Sequence, residues 1–229
     1  MDVVSEILSG IKLQGAVYFH AELSAPWGVV APNSSHQAAE LAPGAQHMVT
    51  YHFLVEGHAF ARVAGDQTVE LHAGDVVIFP HGDAHQIASD LNARPPFPDY
   101  GINAKIRSRD LRPLRAGGNG RVSRIVCGYM TFDPRLGRPN LSGLPPVFKV
   151  PIRADRSGQW LENSILHLVD EAGSGLVGSE AMLAKLSEAL FVDTLRRYVA
   201  SLPEKHTGWL AGARDPIVGK SLQIGRAHV

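Results

Sequence analysis

Cysteine is nearly absent: Cys127 stands alone among 229 residues. No disulfide can form within the chain, and a reducing cytoplasm is the expected compartment. An excess of one charge is lacking too. Lys and Arg total 22 against 22 Asp and Glu, a balance that argues against a dedicated nucleic-acid binder on bulk electrostatics. Long apolar runs are missing; Val76-Val77-Ile78-Phe79 is stopped by Pro80, far short of the roughly 20 residues that span a bilayer. The opening Met1-Asp2-Val3-Val4-Ser5-Glu6 carries two acids and no basic run before an apolar stretch, unlike a secretory signal. A hydrophobic share of 45% with 19% charged residues excludes disorder and fits one large domain or two small ones.

What is present falls into two halves. The first is dense in Gly, Pro and His, with β-prone runs at 16–22, 28–31, 48–55, 58–63, 67–71, 75–79, 123–132 and 147–150. Short strands separated by turn residues predict a sandwich or barrel and not βαβ units. Val4, Ile7, Leu8 and Ile11 predict a short amphipathic helix ahead of it. From Gly158 the period becomes helical. Trp160, Leu161, Ile165, Leu168 and Val169 form one stripe, ending at Gly173. A second stripe runs Leu183, Leu186, Leu190, Phe191, Leu195, Tyr198 and Leu202, with Ser179 as its expected N-cap and Pro203 as its stop. The pair reads as an antiparallel helical hairpin. Asp215-Pro216 then announces a further helix, with Ile217, Val218 and Leu222 on its apolar face.

Within the first half, Gly74-Asp75 makes a turn before a buried run, Pro80 and Gly82 make the next turn, and His85 follows Gly82 after two intervening residues, closing the stretch Gly74-Asp75-Val76-Val77-Ile78-Phe79-Pro80-His81-Gly82-Asp83-Ala84-His85. This stretch resembles the second signature of the cupins, double-stranded β-helix barrels, and the resemblance implies that His85 points into a barrel. The first cupin signature is degraded. With Gly57 as its closing glycine and His47 as its second histidine, Ala45 replaces the first histidine and Thr50 stands in place of the glutamate. His52 shares the face of Thr50 by strand parity and could replace that carboxylate. His47, His52 and His85 would together suit a divalent metal such as zinc, copper or ferrous iron. Alternatively they are hydrogen-bonded lining of a ligand cavity. His58 and His72 are expected at strand ends, facing water.

Several further stretches are similar to the cupin-type N-terminal domain of AraC/XylS-family transcriptional regulators. They include Gln14-Gly15-Ala16-Val17-Tyr18-Phe19, Ala25-Pro26-Trp27-Gly28, Tyr51-His52-Phe53-Leu54-Val55-Glu56-Gly57, Val126-Cys127-Gly128-Tyr129, Leu144-Pro145-Pro146, and Gly208-Trp209-Leu210 with Arg214-Asp215-Pro216-Ile217-Val218-Gly219. The resemblance implies a mainly β fold with α: a sensory barrel over 1–153, then a helical hairpin over 154–203 for dimerisation and coupling. It implies a cytoplasmic regulator that captures a small-molecule effector, forms a homodimer and reaches DNA only through a C-terminal helix-turn-helix region. That region is missing here; 204–223 resembles a linker and its opening helix. Residues 224–229 can be encoded by a string identical to the start of a common sequencing adapter, and are expected to be a non-native tail.

Trp27, Tyr18 and Phe79 are candidate walls of an effector pocket, or plain barrel core. Cys127 lies on an expected inner strand, where a lone cysteine is usually an inert small hydrophobe. Between Ala104 and Arg124, Lys105, Arg107, Arg109, Arg112, Arg115, Arg121 and Arg124 face one acid, Asp110. This stretch reads as a long solvated loop, with an anionic-effector lid or auxiliary phosphate contacts as the functional alternatives. The leading expectation is a non-catalytic binding module. A metal-dependent cupin enzyme, of dioxygenase or isomerase type, is the alternative, and the lost signature residues weigh against it.

Overall fold

The computed structural model describes residues 14–42, 44–45, 47–63, 68–132, 141, 143–173 and 175–202. The expected helices over 1–13 and from 215, and the tail 224–229, lie outside the described residues. The strands are β1 (Gln14–Ser24), β2 (Gly28–Ala31), β3 (Met48–Glu56), β4 (His58–Val63), β5 (Thr68–His72), β6 (Asp75–Phe79), β7 (His85–Ala88), β8 (Leu114–Gly117), β9 (Val122–Thr131) and β10 (Phe148–Pro151). The helices are α1 (Ser34–Leu41), α2 (Ile102–Ser108), α3 (Arg156–Gly173) and α4 (Ser179–Ser201).

Two sheets form, in the orders β10-β6-β3-β9-β1-β8 and β2-β7-β4-β5. Alternation along the strands divides their side chains between two cores. Leu54, Val77, Phe79 and Ile125 of the larger sheet meet Ala59, Ala61, Leu71 and Ile87 of the smaller one, filling the barrel. Val49, Tyr51, Phe53, Val76, Ile78 and Val126 face the other way and pack against Leu161, Ile165, Leu190 and Phe191 of the hairpin. The larger sheet is therefore covered on both sides, which is why Val76, Val77, Ile78 and Phe79 of β6 are all buried and read as an uninterrupted apolar run.

Close approach of α4 to this sheet depends on small residues. A Cβ on Gly128 would sit 2.2 Å from the Tyr51 hydroxyl oxygen, and one on Gly15 would sit 3.0 Å from Ser187 Cβ. In that space the Tyr51 hydroxyl and Ser187 Oγ hydrogen-bond at 2.8 Å, tying β3 to α4. Arg153 makes a second tie: its Nε lies 2.8 Å from Glu162 Oε2, and its guanidinium also donates to the Val55 carbonyl. Asp155, held down to about 2 by the Arg197 guanidinium and the Gly158 amide, adds a third between the start of α3 and α4.

Three expectations are corrected. The stretch 104–124 is not one long loop: α2 occupies its start, and β8 pairs parallel to β1. Ile102 and Ile106, one helical turn apart, pack against the barrel core and give α2 its reason to fold. Trp160 is not on the buried stripe of α3; it is 62% exposed, because its helical neighbours are Asn163 and Ser164 rather than Leu161 and Ile165. Ser179 is not the N-cap of α4. Gly178 takes that place in the left-handed region (φ 88), and the Ser179 hydroxyl donates to the Leu176 carbonyl.

Candidate functional site

The barrel interior holds a short polar chain in an otherwise apolar core. β3 turns His52 inward beside Leu54, β9 brings Cys127, and the β6–β7 turn delivers His85. That turn needs glycine: Gly82 has φ +68, and its amide donates to the Phe79 carbonyl. His85 stacks on Phe79, with ring centroids 3.6 Å apart and planes at 9°. His52 Nε2 and His85 Nε2 are 2.7 Å apart, and His52 Nδ1 lies 2.8 Å from Cys127 Sγ.

The backbone fixes the polarity of this chain. His85 Nδ1 donates to the Asp83 carbonyl at 2.8 Å, so in neutral His85 the Nε2 atom is the acceptor. His52 then donates from Nε2, accepts at Nδ1, and receives the Cys127 S–H. Burial keeps all three neutral: it pushes His52 well below the usual imidazole range, with His85 adding to the effect, and lowers His85 to about 4. The same burial pushes the Cys127 thiol up, which makes it a poor nucleophile.

His47 does not join this chain. It lies at the edge of β3, donates from Nε2 to the Pro80 carbonyl at 3.0 Å and packs on Phe132. Among the described residues, His47, His52 and His85 supply no set of three ligand atoms within 4.8 Å of one another. Two imidazole nitrogens joined by a hydrogen bond and a third bound to a carbonyl do not fit the metal centre that the barrel fold implies. Trp27 is 2% exposed and its Nε1 has no hydrogen-bond partner among the described residues. Tyr18 falls where the β1–β9 register shifts, between Val17 and Phe19; its side chain lies outside the described residues.

Two cavities adjoin α2. One, about 60 Å³, opens inside the barrel between Trp27, His52, His85 and Cys127, with Ile102 and Ile106 across its mouth. It is well below the few hundred Å³ typical of small-molecule sites. The other, about 670 Å³, lies outside the barrel, between Val17 and Tyr129 of the larger sheet, Ile106 of α2, and Leu183 and Ala184 of α4. Arg107, Arg109 and Glu180 are its charged lining groups. Of the basic residues between 104 and 124, Lys105 and Arg112 pair with Asp110, and Arg115 and Arg124 pair with Glu22. Arg107 and Arg109 have no such partner among the described residues, and both belong to the larger cavity. Sequence reasoning placed the ligand residues only inside the barrel; the run of arginines was the one signal for this second site.

The cupin family matches residues 2–200. An AraC-like transcription regulator of Streptomyces antibioticus is 25% identical over 199 residues, covering 82% of this chain and 63% of that protein. The helix-turn-helix transcriptional regulator AlkR of Acinetobacter baylyi is 21% identical over 230 residues, covering all of this chain and 71% of its own. The RCS-specific helix-turn-helix transcriptional activator RclR of Escherichia coli is 22% identical over 203 residues, covering 88% of this chain and 58% of its own. The chain thus spans under two thirds of two of these three relatives. A crystal structure of Vibrio cholerae ToxT with an unsaturated fatty acid aligns over 87% of this chain and 61% of that one, at 9% identity and a TM-score of 0.40.

Proposed function

The chain belongs to the cupin family, and from that premise we propose that it is the effector-sensing and dimerisation part of an AraC-type transcription regulator, without catalysis of its own. It acts in the cytoplasm, and DNA is reached through a helix-turn-helix region C-terminal to the residues described. The curated relatives support this reading, and among the described residues no helix is long and apolar enough to cross a membrane.

The observation that carries the proposal is the cavity of about 670 Å³ between barrel and hairpin. Its walls are mainly apolar, while Arg107 and Arg109 supply cationic charge. An organic acid with an apolar body suits it: the body replaces water against Val17, Leu183 and Ala184, and the acid group meets a guanidinium. Such a ligand bridges α2 and the first turns of α4. It therefore favours whichever barrel–hairpin packing leaves that space open, by as much as its affinity for the two packings differs. The barrel, to about residue 153, carries the sensing surfaces; the hairpin, 154–203, carries the change to its partner subunit.

The test is a fusion of the chain to a DNA-binding domain that represses a reporter only as a dimer. Repression is expected, and its response is then screened with aryl and alkyl carboxylates beside the matching alcohols. A carboxylate that changes repression in the parent but not in Arg107→Glu/Arg109→Glu supports the reading. A folded fusion that never represses would retire the dimerisation role, and a response unaltered in the double variant would retire this cavity as the effector site.

A further inference from the structure

Outside both cavities, the β4–β5 hairpin gathers three ligand-bearing side chains on its outer face. His58 and His72 are direct cross-strand partners, and Glu70 lies two residues from His72 on the same strand, hence on the same face. Burial alternates accordingly: Ala59 and Leu71 face the barrel core while His58, Glu70 and His72 face out. His58 Nε2 lies 2.7 Å from Glu70 Oε1, and His72 Nε2 lies 3.7 Å from the same oxygen. The two imidazoles are 5.1 Å apart at 65°. One ligand atom from each residue falls within 4.8 Å of the other two.

We propose that His58, Glu70 and His72 form a surface site for a divalent transition metal of the zinc class. Both contacts to Glu70 need little adjustment. Metal–ligand distances of about 2.0–2.1 Å place tetrahedral ligand atoms about 3.3 Å apart, so the 2.7 Å contact opens and the 3.7 Å contact closes by roughly half an ångström each. Supporting groups hold two of the ligands. Phe60 meets the His58 ring edge-on at 4.8 Å. Asp75, almost fully buried, accepts the His72 backbone N–H at 2.9 Å and pairs with Lys149 at 3.0 Å. Its carboxylate lies 4.0 Å from His72 Nδ1, on the side where a metal-bound imidazole usually donates its second N–H to a carboxylate.

Two imidazoles and one carboxylate suit zinc better than magnesium or calcium, which prefer oxygen. Three protein ligands leave a fourth position for water or an incoming donor. A bound ion would clip together the ends of β4 and β5, where β5 has no further strand beside it among the described residues. The site is separate from the histidines inside the barrel and independent of the regulatory reading above.

Cobalt, whose visible bands report tetrahedral coordination, and then zinc are titrated into the purified chain after chelator treatment. One metal per chain is expected, together with a rise in Tm on metal addition. His58→Ala, His72→Ala and Glu70→Gln should each weaken binding roughly tenfold or more. His167→Ala, on the exposed side of α3, should leave it unchanged. Because the three ligands lie on the outer face, circular dichroism is expected to show the variants folded. Undiminished binding by a His58→Ala/His72→Ala double variant would overturn the proposal, as would a parent chain that binds no tighter than that variant.

Discussion

Acidifying the protein from pH 7 to pH 4 should remove stability in a window set by the buried imidazoles of the barrel. His85 is lowered from 6.5 to about 4 by burial. Between those values the unfolded chain binds a proton that the folded chain refuses, so stability rises with pH across the window and is lost as pH falls through it. For this one group the loss is about 2 kcal/mol between pH 7 and pH 5, and about 3 kcal/mol by pH 4, where the folded imidazole begins to take up its proton. His52 is also pushed down, by burial and by His85, and adds a loss of the same sign. The paired carboxylates act lower: Asp155, held near 2, keeps its contribution until the pH drops below the ordinary carboxylate range. Urea unfolding at pH 7, 6 and 5 measures the effect, with His85→Gln as comparison because its amide cannot charge. The variant should lose about 2 kcal/mol less than the parent between pH 7 and pH 5. Equal losses in both proteins would refute the reasoning. So would nitrogen spectra of labelled histidine that show His85 cationic at pH 6, or protonated at Nε2 rather than Nδ1.

Gly128→Ala puts a methyl group against the Tyr51 ring and hydroxyl, so overpacking should cost about 1–3 kcal/mol in urea unfolding. Arg153→Met leaves the Glu162 carboxylate, 7% exposed, without its guanidinium; a loss of about 2–3 kcal/mol is expected, mostly recovered in Arg153→Met/Glu162→Gln. Arg109→Gly should hold or raise Tm while weakening any carboxylate that binds the larger cavity, as read by isothermal calorimetry.

Elements whose signal is local could be read from the sequence. The strands over 28–31, 58–63 and 75–79 have the same bounds in the structure, because their apolar runs end at Gly, Pro or Asp turn positions. β8 was hidden for a physical reason. Leu114-Arg115-Ala116-Gly117 alternates inward and outward over only four residues, too short a pattern to stand out, and becomes a strand because the edge of β1 lies beside it. α2 was hidden by its charges, which mask the two isoleucines that anchor it. For the site, strand parity correctly brought His52 to the inner face and the turn spacing brought His85 there. That parity could not reveal that these two imidazoles and Cys127 bond to one another, or that His47 is held by the Pro80 carbonyl. The larger cavity was illegible because its walls come from segments as far apart as Val17, Ile106 and Leu183.

α2 is the element through which the two cavities can act on each other. Ile106 borders both, so a ligand in either one presses on the same side chain. Arg109, at the C-terminal cap of α2, has φ 51, a left-handed conformation that disfavours a Cβ-bearing residue by about 1 kcal/mol and that glycine or asparagine adopts more readily. Here the strained position carries a guanidinium that borders the larger cavity and has no ion-pair partner among the described residues. On the function proposed above, an acid in the larger cavity would meet Arg109 and Ile106 at the end of α2 together with Leu183 and Ala184 of α4, and Ile106 also borders the barrel cavity. Coupling of this kind is reciprocal: a group that fills the small barrel cavity and displaces Ile106 must change the affinity of the outer cavity by the same factor.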